Sequence, residues 1–124
     1  MRLKVKDIQK VRDEILTKQE GKCAICSIQL GGEQKACLDH NHQTGAIRSV
    51  LCQNCNGIEG KIYNLCRRGK RERTPFDYLN TILRYWVVHN SEPNKLIHPK
   101  HKTKDEKRLA RNAKARKKRK IRLA

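Results

Sequence analysis

Aromatic side chains are nearly missing from this chain: they make up 4% of its 124 residues, with a single Phe and a single Trp. That inventory excludes a large hydrophobic core and predicts a small one that needs other support. Also missing is any apolar run long enough to span a bilayer. Met1 to Lys10 mixes charges with single aliphatics where a leader would hold an apolar stretch. The expectation is therefore no leader and no membrane contact. Acid is scarce as well, since 12 Asp and Glu stand against 30 Lys and Arg, a net charge of +18. A chain this basic seeks a polyanion, and nucleic acid comes first because each neutralised phosphate releases condensed counterions. An anionic membrane surface is the other polyanion. Charge alone is also what a ribosomal or histone-like binder without an active site would carry. The length predicts one domain with an appendage.

What the chain has, for its size, is cysteine. Cys23 and Cys26 form one C-x-x-C pair in "GKCAIC", and Cys52 and Cys55 form another in "LCQNC", with 25 residues between the pairs. In a reducing compartment such pairs argue against disulfides. Two such knuckles can close a tetrahedral thiolate site around structural zinc, which takes four ligands and leaves no open position. Two unrelated thiol pairs, or a redox motif, are the other readings. Cys37 and Cys66 fall outside the pattern and read as part-buried spare thiols.

Val5, Ile8, Val11, Ile15 and Leu16 recur near helical spacing, so residues 5–19 read as an amphipathic helix ended by Gly21. The segment up to about Ala36 reads as loop with a turn at Gly31-Gly32. Ala36 to Asp39 reads as a short strand, Gln43-Thr44-Gly45 as a turn, and "AIRSVL" as the returning strand. Helix resumes near Asn54 and runs through "CNGIEGKIYNLC", where Gly57 and Gly60 predict irregularity. After a basic link, "RRGKRER", comes "TPFDYLNTILRYWVVHN". Thr74 suits its N-cap, Pro75 its first position, and Asp77 the positive end of its dipole. Its apolar stripe, from Phe76 and Leu79 to Trp86 and Val87, demands a cover: a second copy of the chain or the N-terminal helix of the same one. Residues 100–124 hold thirteen Lys or Arg against Asp105 and Glu106. This appendage reads as a DNA-holding arm, with Lys117, Lys118 and Arg119 as candidate phosphate contacts. Its composition permits a helix, and self-repulsion keeps it mobile until phosphates neutralise it. A solvated tail without function is the plain alternative.

The stretch "LDHNHQTG", residues 38–45, is poor core material and unusual for a surface loop. On a strand, Asp39 and Asn41 project to one side and His40 and His42 to the other. Asn56 follows the last paired cysteine, and Glu59 lies one helical turn further. This set suits metal-assisted phosphodiester hydrolysis. Asp39 and Asn56 offer hard oxygens for one magnesium ion, and His40 can take a proton from the attacking water. Plainer readings exist for each residue. The two histidines could hold a second structural zinc, Asn56 could cap a helix, and Glu59 could pair with a nearby lysine.

"GKCAIC…LDHNHQTGAIRSVLCQNCNGIEG" resembles the recombination endonuclease VII family of bacteriophages, a branch of the His-Me finger (HNH-type) nucleases. The resemblance extends over about residues 15 to 99. It implies a mostly helical α+β fold, a zinc-braced ββα-metal core whose flanking helices build an intertwined homodimer. It also implies a DNA endonuclease that resolves Holliday junctions and other branched DNA in the cytoplasm of a bacterial host. Cys23, Cys26, Cys52 and Cys55 match the zinc ligands, Asp39 and Asn56 the magnesium ligands, and His40 the general base. His42 and Glu59 match accessory active-site residues, and Arg48 matches a basic residue of the returning strand that contacts phosphate. The family run reads Asp-His-Asp-His, and Asn41 departs from it, removing one negative charge near the metal. The better-known members carry a further C-terminal helical domain where this chain carries the basic arm. The expected division is a nuclease with dimerising helices over 1–99 and a DNA-binding tail over 100–124. Two other functions fit the same residues: a less selective HNH-type nicking enzyme, and a catalytically silent zinc-finger regulator.

Overall fold

Val50 is fully buried, and both of its backbone hydrogen-bonding groups are claimed by one side chain. The computed structural model describes residues 1–124. Its elements are helix α1 (Ile8–Lys18), strands β1 (Ala36–His40) and β2 (Ile47–Cys52), and helices α2 (Gln53–Gly69), α3 (Pro75–Ser91) and α4 (Lys104–Leu123). This is the expected α+β chain, mostly helical, with a two-stranded antiparallel sheet. No helix is long and apolar enough to cross a membrane.

The N-terminal helix starts as a 3-10 turn over Val5–Asp7 and becomes α-helical at Ile8. It ends where the sequence places its stop. Glu20 and Gly21 take left-handed φ values of 56° and 75°, and the Gly21 N–H returns to the Leu16 carbonyl at 2.9 Å. At φ 75° an L side chain is strained, so glycine suits this turn, whose nearest neighbour is the tip of the Gln29 side chain.

Just before it, Gln19 presents its side-chain amide to β2 as if it were a neighbouring strand. Its Nε2 donates to the Val50 carbonyl at 2.8 Å, and its Oε1 accepts from the Val50 N–H at 2.9 Å. The same Nε2 also donates to the Lys22 carbonyl at 2.8 Å. Hydrogen bonds of this kind contribute about 0.5–1.5 kcal/mol each, and stranding the buried Val50 groups would cost more.

The core itself is small. Cys23, Leu30, Val50, Leu51, Cys52 and Cys55 form its buried centre, with Ile15, Leu16, Ala36 and Leu38 packed around them. Half of that centre is cysteine, as the scarcity of large apolar residues predicts.

In the sheet, Ala36, Cys37 and Leu38 pair with Cys52, Leu51 and Val50, after which the register slips and His40 pairs with Ile47. Two residues of β2, Arg48 and Ser49, thus oppose the single Asp39. A bulge of this kind re-aims side chains and sharpens the local twist. The hairpin closes through Asn41, whose Oδ1 accepts from the N–H groups of Gln43 at 2.8 Å and Thr44 at 3.1 Å. Gly45, at φ 76°, completes the turn.

From the end of β2 the chain enters α2 directly. Cys52 is the N-cap, its Sγ accepting from the Cys55 N–H at 3.3 Å, so Asn56 is not the cap. The helix runs unbroken past Gly57 and Gly60 and takes in Arg67–Gly69 of the expected link. Each of those two glycines costs a helix about 1 kcal/mol, yet the helix is held at its buried Cys55 and again at its buried Cys66. Cys37 is half-buried.

The Thr74 N-cap of α3 is formed, its Oγ1 accepting from the Asp77 N–H at 3.1 Å. Arg73 lies over the Tyr78 ring, 4.8 Å from its centroid. The chain divides into two compact units, Met1–Ile82 and Leu83–Ala124. The first carries the sheet, the cysteines and the "LDHNHQTG" hairpin. The second carries α4, a helix the composition permits, opened by a reciprocal cap between Thr103 and Glu106 that adds a start signal to that permissive composition.

Candidate functional site

The four paired cysteines converge. Their sulfurs all lie within 4.8 Å of one another, and the Sγ atoms of Cys26 and Cys52 are 3.8 Å apart. Four sulfurs each about 2.3 Å from a central zinc ion would be separated by roughly 3.8 Å, so the donor set fits a tetrahedral metal. Cys23 and Cys26 sit on a tight knuckle in which the Cys23 N–H donates to the Ile28 carbonyl and the Ser27 N–H to the Cys23 carbonyl. Burial opposes ionisation of Cys23, but hydrogen bonds from the N–H groups of Cys26, Cys52 and Ile25 outweigh it and bring the thiol down to about 6. Cys55 moves the other way. Its hydrogen bond with Cys52, followed by burial, pushes it up to about 12. Sulfurs this close resist carrying four negative charges together, and a divalent cation between them is what relieves the conflict. These cysteines form a site that can hold a structural metal such as zinc.

The clamp joins the knuckle to the junction between β2 and α2, and both strands pack on α2. The "LDHNHQTG" hairpin lies on this braced platform. Asp39 is buried, with 5% of its surface exposed, while the adjacent His40 is exposed. The rings of His40, at the end of β1, and His42, in the turn beyond it, lie 4.8 Å apart between centroids. Asn41 does not follow the expected alternation as a free donor, because its carbonyl oxygen is spent on the turn.

Arg48 reaches Asp39 across the bulge with a two-pronged contact. Its Nε donates to Oδ2 at 2.7 Å and its Nη2 to Oδ1 at 3.0 Å. The same Nη2 is 3.0 Å from Oε2 of Glu59, on the first turns of α2. The hydrogen bond with Asp39 is the main reason the guanidinium is held charged more firmly than usual; burial works against it, and Glu59 adds to it. Glu59 therefore has an arginine partner, not the lysine of the plainer reading. Asn56 is half-buried one turn earlier on α2.

Two depressions border Arg48 and Glu59. One, of about 290 Å³, is lined by His42, Gln43, Arg48, Glu59, Asn64 and Arg67. The other, of about 610 Å³, places Arg48 and Glu59 beside apolar Ile58, Ile62, Phe76 and Leu79. Asp39, His40 and Asn56 border neither. The structure thus groups Asp39, Arg48 and Glu59 by direct ion pairs and His40 with His42 by ring proximity. Asn64 and Arg67 were not anticipated. Arg67 lies eight residues beyond Glu59, two turns along nearly the same face of α2, whereas Asn64, five residues on, carries no such spacing signal.

Compared with known protein families, the chain matches recombination endonuclease VII over residues 2–86. The chain belongs to the recombination endonuclease VII family. Among individual relatives, this family member is 42% identical over 38 residues to the Gene 59 protein of Mycobacterium phage L5, a stretch covering 31% of this chain and 23% of that protein. The Gene 59 protein of Mycobacterium phage D29 matches to the same extent. The matched stretch spans less than a quarter of the length of those phage relatives. The family match takes in all four clustered cysteines, the hairpin and α2, and stops within α3.

Proposed function

We propose that this endonuclease VII family member is a magnesium-dependent DNA endonuclease that hydrolyses phosphodiester bonds in branched DNA, four-way junctions foremost, as a homodimer. The observation carrying this reading is the pairing of a buried carboxylate, Asp39, with an exposed histidine, His40, on a hairpin fixed to α2 by the cysteine cluster.

Asp39, Glu59 and the Asn56 amide are hard oxygen donors of the type magnesium selects. When bound, the ion would supply charge stabilisation at the phosphate and at the leaving 3′ oxygen. The chain's own residues do the rest. His40 accepts a proton from water as its oxygen attacks phosphorus, and the bond to the 3′ oxygen breaks, leaving a 5′ phosphate and a 3′ hydroxyl. His42, beside it, helps set the orientation of the His40 ring. Arg48 and Arg67, which line the smaller depression, offer cationic contacts for phosphates of the bound strand.

Phe76, Leu83, Trp86 and Val87 of α3 are exposed, Phe76 by 75% and Val87 by 65%. A stripe of that kind supports a second copy of the chain as its cover. Two sites held by a dimer would select substrate by DNA shape and bendability more than by base contacts. Incubation with magnesium and a labelled four-way junction tests both parts together. Paired cuts on opposed strands within one encounter are expected. Scattered single nicks would remove the dimeric resolvase reading, and an uncut junction, nicked and linear DNA would remove the enzyme.

The proposed division is a nuclease over residues 1–99 and a DNA-holding arm over residues 100–124. Within α4, Lys117, Lys118 and Arg119 are exposed, and the acids of its first turn, Asp105 and Glu106, leave the rest single-signed. Deleting residues 100–124 should weaken junction binding. It should also flatten the plot of log affinity against log salt by about 0.9 for every phosphate that the arm neutralises. Fluorescence anisotropy across a salt series measures this, and an unchanged slope would deny the arm its role.

A further inference from the structure

The Arg48 guanidinium occupies both oxygens of Asp39, a carboxylate that the proposed reaction would use to hold a divalent cation. Both Asp39 oxygens are engaged, at 2.7 and 3.0 Å, and one nitrogen, Nη2, is 3.0 Å from an oxygen of Asp39 and 3.0 Å from an oxygen of Glu59. Its charge thus sits between two carboxylates that approach from different elements, β1 and α2. The register slip in the sheet is what brings Arg48 to the Asp39 side, so the contact is built into the backbone and is not a chance surface pair. Asp39 is buried, and it offers few free directions for a second cation beside a guanidinium already bound at both oxygens.

We infer that Arg48 is an internal counter-ion that competes with the divalent cation for Asp39 and Glu59, and that a DNA phosphate relieves the competition by drawing the guanidinium off the carboxylates. This rests on the endonuclease reading of the site and adds a control to it. Two like charges a few ångströms apart repel strongly where solvent is scarce. Cation entry therefore favours release of Arg48. A phosphate in the depression that Arg48 lines gives the released planar fork a two-pronged partner of its own. Because Arg48 favours whichever anion is free, cation and DNA each raise the affinity for the other by the same factor, as linkage requires. A purely structural ion pair would add nothing to the coupling that direct contact between cation and phosphate already carries.

The experiment uses the full, zinc-loaded chain in a His40→Ala background so that DNA persists, and follows bound manganese by electron paramagnetic resonance. Without DNA, Arg48→Gln should bind manganese about ten- to hundredfold more tightly than the Arg48 parent, the range expected when charge-assisted hydrogen bonds no longer oppose the cation. Arg48→Lys, which keeps the charge and loses the fork, should fall between them. Adding a four-way junction should tighten manganese binding in both proteins, because the phosphate itself meets the cation, and by a clearly larger factor in the parent than in Arg48→Gln. Manganese affinity in Arg48→Gln that equals or falls below the parent's overturns the competition while leaving the cation site standing. Manganese bound by neither protein, or bound undiminished after Asp39→Asn, overturns the cation site and the competition with it.

Discussion

Removing the metal from the cysteine cluster is expected to unfold the first compact unit, not merely to slow the protein. The buried centre has only Leu30, Val50 and Leu51 besides its three cysteines. Burying an aliphatic side chain of that size contributes about 1.5–3 kcal/mol. Structural zinc in small domains contributes an apparent 10–16 kcal/mol or so, which equals or exceeds the roughly 5–15 kcal/mol by which domains are stable at all. A zinc ion held by the four cysteines would therefore contribute more than those three aliphatic side chains together. Cys52→Ala should be the most damaging single change in the chain. It removes a candidate metal ligand and, with the same sulfur, the α2 N-cap that accepts from the Cys55 N–H. Thermal unfolding monitored by circular dichroism, with zinc content by atomic absorption, checks this. One zinc per chain and loss of the cooperative transition on chelation are expected. A chelated chain that still melts at the same temperature would mean that the cysteines are not the brace.

The second large effect is on chemistry and should leave the fold alone. His40→Ala is expected to lower the single-turnover cleavage rate of a four-way junction by about 10²- to 10⁴-fold, the usual contribution of a placed proton acceptor. His40 is exposed at the end of β1, and surface substitutions away from caps and ion pairs typically shift stability by no more than about 0.5 kcal/mol. Zinc content, melting temperature and junction affinity should accordingly match the parent. Asp39→Ala is a less clean probe, because it also strands Arg48 and Glu59 without their shared partner. If His40→Ala cuts at the parental rate, another group accepts the proton and the assignment of His40 fails.

Much of the architecture follows from short-range chemistry and so was legible in the residues. The stop at Gly21, the cap at Thr74, the two strands and the convergence of four cysteines all depend on neighbours within a few positions, or on pair spacing that a metal enforces. What could not be read there depends on register. A strand's alternation assigns faces only while pairing is regular, and the slip at Asp39 brings Arg48 to its side with no residue to announce it. Arg48 was singled out through the family resemblance as a basic residue of the returning strand, but its carboxylate partners were not legible. Gln19 is a harder case still. Its two hydrogen bonds to Val50 span 31 positions, and a glutamine near a helix end carries no mark of such a task. Gly57 and Gly60 misled in the opposite sense, because local propensity is outweighed where the helix is anchored at both ends.

The glutamine that copies a strand also has a bearing on solubility. A two-stranded ribbon has open sides along which a foreign strand can line up and seed aggregates, and sheet proteins commonly obstruct them. Here the middle of β2 is already taken: its Val50 N–H and carbonyl are tied to a side chain, and that carbonyl also receives the Ala24 N–H. An intruding strand would have to evict all three bonds before gaining its first.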